Sequence, residues 1–184
     1  YWSNWMGLID LTSSVQIQRG LGSTSLAVPS AGGTVSVNTR AAEVDPGSGI
    51  KMSIGDNSYQ KFTAFHNTGV NELGWSSSFL LGFWQGDGWR NGMQGEGTTY
   101  AFSVGYTPRG GNHEFNFSLI GAGQWHHQAY YGTQLQDYLD YGPIQGDDFR
   151  KFNALYGDYQ GEEFSILRNY YNKPLATFNW DWEI

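Results

Sequence analysis

The 184 residues make a chain of ordinary domain size, with 26 glycines, 17% aromatic residues and no cysteine, a balance that favours short strands and glycine turns over helices. The missing cysteine excludes disulfides, thiol nucleophiles and cysteine-based zinc sites. A net charge of −7, with only 10 lysines and arginines and no basic run, argues against a nucleic-acid groove.

Tyr1–Leu11 spaces Trp2, Trp5, Met6, Leu8 and Ile9 as a short amphipathic helix would, and reads as a packed lead-in. Val15, Ile17 and Arg19 alternate with glutamines, a small-residue loop bracketed by Gly20, Gly22, Gly32 and Gly33 follows, and residues 34–39 alternate again. This is strand, loop, strand. No helix follows Gly33, so no helix N-terminus is offered to an anion. Residues 40–48 lack periodicity and contain the turn tripeptide Asp45-Pro46-Gly47. We read residues 1–40 as one region, 41–48 as a linker and 49–184 as a second region.

From Ile50 the chain falls into segments of period two. Ile50, Met52 and Ile54 share a face. Phe62 and Ala64 follow, with Phe65 out of phase. Trp75, Phe79, Leu81 and Phe83 share a face interrupted by Ser77. Tyr100, Phe102, Val104 and Tyr106 alternate with small residues. Phe115, Phe117, Leu119 and Trp125 do so with Gly121 and Gly123 on the large-residue face. Ala176, Phe178, Trp180 and Trp182 close the set. Short turns are expected at 71–74 and 108–112, and long loops at 86–97 and 129–173. That bias, with Phe, Leu, Val and Ile in mid-strand and Trp or Tyr towards strand ends, is expected of an up-and-down antiparallel transmembrane barrel. No run reaches the ~20 apolar residues of a membrane helix, and Tyr1 opens without the basic and apolar regions of a signal peptide.

Residues 14–22, SVQIQRGLG, followed by 31–39, AGGTVSVNT, resemble the end of the plug domain of TonB-dependent outer-membrane receptors of the Bacteroidetes type. Residues 121–128, GAGQWHHQ, look like a segment on an early barrel strand of such receptors. The resemblance implies an all-β protein, part of a plugged transmembrane antiparallel β-barrel in the bacterial outer membrane. It also implies that residues 1–40 are the C-terminal part of the plug and that 49–184 supply the first six strands, since six are too few to close a barrel. The implied activity is active import of a scarce nutrient such as an iron-siderophore, a vitamin or a glycan. The implied partners are the TonB-ExbB-ExbD complex, outer-membrane lipid, a small nutrient ligand and a surface lipoprotein. The plug end lacks the pattern of the glycan importers, which tilts the ligand toward a siderophore or another small chelate.

Arg19 sits where the family has a plug arginine that pairs with wall glutamates, and is read as that latch against a solvated strand-end arginine. Trp89 and Arg90 in one expected loop, Tyr130 and Tyr131 in the next with Tyr138 and Tyr141, and His126 on a polar strand face are candidate ligand contacts, each competing with a plain surface role. His126 and His127 are neighbours on a strand, point to opposite faces and cannot share one metal ion. The Asp147-Asp148 and Glu162-Glu163 pairs read as solvated surface, and no catalytic or phosphate-binding motif is present. No enzyme activity, metal or cofactor is expected. A soluble β-sandwich that binds carbohydrate is the alternative, supported by the many Trp and Tyr residues; it would bury Tyr100, Phe102, Val104, Tyr106, Phe178 and Trp180 rather than expose them.

Overall fold

The computed structural model describes residues 12–20 and 31–183. The expected lead-in helix and most of the small-residue loop lie outside the described residues.

Strands β1 (Ser14–Gln18) and β2 (Thr34–Asn38) form an antiparallel pair, with Val15 opposite Val37 and Ile17 opposite Val35. Gly33, at φ +104°, packs against the backbone of Gln18, so a side chain there would collide with a carbonyl oxygen. A 3-10 turn at Ala41–Glu43 follows. The Glu43 carboxylate ties it to the hairpin, accepting from Asn38 Nδ2 at 2.6 Å and Ser13 Oγ at 3.1 Å. The linker expected over 41–48 is therefore partly structured, and the next strand already begins at Gly47.

The principal sheet is an open antiparallel meander. It takes β3 (Gly47–Ile54), β4 (Gln60–Asn67), β5 (Trp75–Asp87), β6 (Gln94–Tyr106), β7 (His113–Gly121) and β8 (Gln124–His127) in order. β7 and β8 both pair with β6 in one unbroken register, Tyr100 opposite Gly121 and Gly97 opposite Gln124. They act as one strand with a gap in its ladder. A long excursion then carries helix α1 (Leu135–Gln145), a 3-10 turn at Phe149–Lys151 and the hairpin of β9 (Tyr156–Tyr159) and β10 (Glu162–Ser165). The chain returns as β11 (Arg168–Tyr171) against β8 and β12 (Leu175–Trp182) against β7, again in one register. The expected six alternating segments are thus six sheet positions.

Two expectations are corrected. Residues 86–97 are no long loop: β5 runs to Asp87, β6 starts at Gln94, and the connection is six residues, 88–93. The glycines there serve strand packing, since a Cβ on Gly95 or Gly97 would meet Trp84 and the neighbouring strand within 3.3 Å. The excursion after β8 is no featureless loop either.

One face of the sheet carries most of its large apolar side chains, and the other carries mostly polar and small ones. Residues directly opposite on neighbouring strands share a face, so the registers stack Trp75, Tyr106, Phe115 and Trp180 in one row, and Phe79, Phe102, Leu119 and Ala176 in another. Ile50, Met52, Phe62, Leu81, Phe83, Val104, Phe117 and Phe178 lie on the same side. These residues are exposed or half-buried, Leu81 and Phe178 each at 67%. His66 and Ser77 interrupt the face. The opposite face carries Thr63, Ser76, Ser78, Thr99, Ser103, Asn116 and Ser118, all buried, with Ser103 at 1%. Ser103, Ser118 and Asn116 hydrogen-bond to one another there, Oγ to Oγ at 2.9 Å and Ser118 to Asn116 Oδ1 at 3.0 Å. One small apolar cluster, Leu80, Ala101 and Ile120 with Phe65 against it, sits among them. Phe65, the residue out of phase in the sequence, turns to this face and fills the space over Gly49.

The linker docks at the edge of this polar face. Ala41 is fully buried, Ala42 lies near Gly105 of β6, and Arg40 bridges two strands, reaching Glu114 at 3.3 Å and Asp181 at 2.7 Å.

Candidate functional site

One end of the meander holds the turn at 55–59, the turn at 88–93 and the excursion at 128–167; the other holds the turns at 68–74 and 107–112. The first end gathers most of the candidate residues.

Local rules explain the turns. Asn57 and Ser58 take positive φ of 56° and 57° in a tight hairpin turn, which Asn tolerates well. Gly92 adopts φ +69°, and a Cβ there would fall within the ring of Tyr156. Only glycine lets the β9 segment close over the β5–β6 turn.

Arg90 is the centre of the cluster. Its Nη1 donates to the carbonyl of Tyr130 at 2.8 Å, and its guanidinium carbon lies 5.6 Å from the Tyr131 ring centre and 5.7 Å from that of Tyr138. Arg90, Tyr130, Tyr131 and Tyr138 are therefore joined, in cation–aromatic geometry that strengthens as water is excluded. Tyr131 is almost wholly exposed and Tyr130 largely so, whereas Arg90 and Tyr138 are half-buried. Tyr141, three residues on and on the same face of α1, has its ring 6.2 Å from that of Phe152, with Tyr138 meeting the same ring edge-on at 5.7 Å.

Trp89, like Arg90, borders a polar cleft of about 290 Å³, together with Asn57, Asp87, Met93, Lys151 and Tyr156. Burial, then the hydrogen bond to Glu163 and the charges of Glu163 and Asp158, push the Tyr156 phenol above its ordinary range. At the base of the excursion the Arg150 guanidinium, bonded to Asp148 at 2.8 and 2.9 Å, holds that half-buried carboxyl below the usual carboxylate range.

The sequence reading missed the residue that organises this end. Asn153 is wholly buried; its Nδ2 donates to Asn91 O at 3.0 Å and Gln128 O at 3.2 Å, and its Oδ1 accepts from the Leu155 amide at 3.1 Å. Gln145 from α1 completes the knot, accepting from the Asn153 amide at 3.0 Å and donating to the carbonyls of Asn153 and Tyr156. No periodicity marks an asparagine that bonds to three separate segments.

His126 stands apart from the Arg90 cluster. It lies half-buried on the polar face of β8, edge-on to Tyr171 at 6.2 Å. His127 is on the opposite face, as expected: its Nδ1–H donates to Gly92 O at 3.0 Å and its Nε2 accepts from Arg168 Nε at 2.9 Å. Arg19 is exposed just past β1; among the described residues the ion pair from this end of the chain to the sheet is made by Arg40. No group of three or more His, Asp or Glu side chains able to hold a metal ion occurs among the described residues.

No family model matches the sequence, and neither the curated proteins nor the solved structures contain a match to it.

Proposed function

We propose that this chain is the end of a plug and part of the wall of a TonB-dependent outer-membrane receptor that binds and imports a scarce nutrient. One observation carries this reading. Across all six positions of the sheet most of the large apolar side chains share one exposed or half-buried face, while the other face holds mostly Thr, Ser, Asn and small residues, buried on β4 to β7, with Phe65, Leu80 and Ile120 among them. A sandwich needs the reverse, with Tyr100, Phe102, Val104 and Tyr106 in its core. A lipid-facing wall needs this arrangement.

Dimensions support it. The row Trp75, Tyr106, Phe115 and Trp180 has ring centres 4.5 to 6.5 Å apart from one strand to the next. A second amphipathic row holds Gln85, Glu96, Trp125 and Tyr170. The rows are ten residues apart along each strand, ~34 Å at ~3.4 Å per residue, which a strand tilt of ~35–45° reduces to ~24–28 Å, against ~25 Å for the apolar band of outer-membrane barrels. In this reading further strands pair with the outer edges of β3 and β12, because open edges are not viable in lipid.

The 128–167 excursion then lies outside the membrane with the 88–93 turn, and Arg90 with Tyr131, Tyr138 and the nearby Trp89 offers donors and aromatic faces to a ligand. The linker end lies at the opposite rim, where the Arg40 bridge joins the plug hairpin to the wall. The test is folding with and without lipid. The chain should give a cooperative β-sheet circular-dichroism transition in detergent micelles or vesicles and aggregate without them. A stable, cooperatively folding monomer in plain buffer would refute the membrane reading.

A further inference from the structure

Near the excursion, the polar face of the sheet carries an aromatic platform. Lys61, Trp84, Gly97, Gln124 and Tyr171 stand opposite one another in the registers of β4, β5, β6, β8 and β11, and Gly86, Gly95, His126 and Asn169 form the next row. Tyr59 sits over Gly86, its Cα 3.0 Å from where a Cβ would stand. Gly95 and Gly97 make room for the indole. A Cβ on Gly97 would lie 2.6 Å from Trp84 Nε1, and one on Gly95 would lie 3.3 Å from Trp84 Cη2. Trp84 therefore lies across β6, its ring 6.5 Å from that of Tyr59 at an interplanar angle of 28°. Side chains at 95 and 97 would push the indole off the strand.

Several polar groups around the platform have no partner in the chain. Gln124 donates to the Tyr171 hydroxyl, and Lys61 is engaged by another group of the chain. Among the described residues, by contrast, no hydrogen bond is made by the Trp84 indole N–H, the Tyr59 hydroxyl, the Asn169 amide or the His126 ring. The His126 ring stands edge-on to Tyr171 at 6.2 Å, and its Cβ lies 2.9 Å from where a Cβ of Gly95 would stand, beside the indole. These four side chains offer N–H and O–H donors together with oxygen and nitrogen acceptors. All four are half-buried. No carboxylate stands in either row.

Aromatic faces bordered by uncharged donors and acceptors suit a pyranose, which presents C–H groups above and below its ring and hydroxyls, each both donor and acceptor, around its rim. An anionic chelate would need free cations here, and the ammonium of these rows, Lys61, is already engaged. We propose that Trp84 is the stacking platform of a subsite for one neutral pyranose unit of an oligosaccharide, with Tyr59 beside it and Asn169 and His126 bonding to its hydroxyls. The proposal rests on the membrane reading above, in which this face lines the lumen, and it names the imported nutrient as a neutral oligosaccharide, against the tilt toward a small chelate taken from the plug end. It also gives a reason for glycines at 95 and 97, which let the indole lie along the sheet.

The test is sugar binding by the chain folded in micelles of a sugar-free zwitterionic detergent, followed by saturation-transfer NMR. The probes are neutral oligomers of glucose, mannose, galactose and xylose, with gallium tris-catecholate as the anionic comparison. At least one oligosaccharide should bind, and more tightly than the tris-catecholate. Trp84→Ala should weaken it about tenfold, the scale of a lost aromatic contact together with a hydrogen bond, and Asn169→Ala about threefold. Trp125→Phe, on the opposite face of the sheet, should leave it unchanged. Each variant is first shown to keep the cooperative circular-dichroism transition of the parent; if Trp84→Ala does not, Asn169→Ala, whose side chain makes no hydrogen bond within the described residues, carries the test. No binding of any of these sugars, binding that the folded variants leave unchanged, or tighter binding of the tris-catecholate would overturn the proposal and leave the membrane reading standing. Cooperative folding without detergent would overturn the membrane reading, and with it the luminal placement of the subsite.

Discussion

The exposed apolar face makes a quantitative demand on charged substitutions. Leu81 lies near the middle of the band between the two aromatic rows, on β5 opposite Ala64 and Tyr100, and is 67% exposed. In water, Leu81→Arg removes little packing and should change stability by no more than ~0.5 kcal/mol, the usual range for surface substitutions. Facing lipid near the midplane, the same arginine should cost ~2–4 kcal/mol, falling to ~0–1 kcal/mol near an interface. Gln85, four residues further along the same face in the row of Glu96 and Trp125, is the internal control. The assay is denaturant unfolding from phospholipid vesicles, followed by tryptophan emission, for Leu81→Arg and Gln85→Arg against the parent chain. The expected result is a large penalty at 81 and a small one at 85. Penalties at both positions within ~0.5 kcal/mol of zero would refute the lipid-facing assignment.

Other consequences concern the linker and the loop end. Arg40 lies between Glu114 and Asp181, which are directly opposed in register, so Arg40→Gln leaves two carboxylates facing each other. With these side chains 26–49% exposed, solvent screening limits the loss to about 1 kcal/mol, and adding Asp181→Asn should recover most of it in the same unfolding assay. Asn153→Ala strands two part-buried carbonyls and one part-buried amide, at a cost of roughly 1–2 kcal/mol. Amide exchange should accelerate across 88–93 and 128–167 and stay slow in β5 and β6, whereas uniform protection would refute the role given to Asn153. For Tyr156, whose phenol titrates above its ordinary value of 10.0, the associated stability is fully present below that value and is lost as pH rises through the raised folded value. Tyr156→Phe should therefore flatten the alkaline fall in stability and remove the latest step of the tyrosinate absorbance titration.

The sheet was legible because its signal is local. Alternation at Tyr100–Tyr106 or Phe115–Leu119 needs only neighbours along the chain, and a shift of one residue would exchange the faces. The hairpin around Gly20 and Gly33 was legible for the same reason. Strand ends were less so, because Gly86, Gly95 and Gly97 carry the composition of a loop; what keeps them in strands is Trp84, Tyr59 and His126 packing over them, a tertiary fact. Helix α1 was missed because its own sequence argues weakly for it, with Gly142 and Pro143 inside. It is held by the reciprocal cap of Gln134 and Asp137 and by the close approach of Gly142 to Phe149. Among the candidate residues, Arg90, Tyr130 and Tyr131 could be named from residue type, but their meeting depends on Asn153 and Gln145, whose partners lie up to 62 residues away in sequence. The pairing of Arg40 with Glu114 and Asp181 was equally out of reach, since it requires the registers of β7 and β12.

The central claim is that the apolar face of the sheet meets lipid, and spin-label accessibility along β6 tests it most directly. Labels placed singly at positions 101 to 104 in the vesicle-bound chain should alternate. Those replacing Phe102 and Val104 should collide with dissolved oxygen and be shielded from a water-soluble nickel chelate, and those replacing Ala101 and Ser103 should lack that oxygen preference. High chelate accessibility at 102 and 104, with or without alternation, would place that face in water and contradict the account.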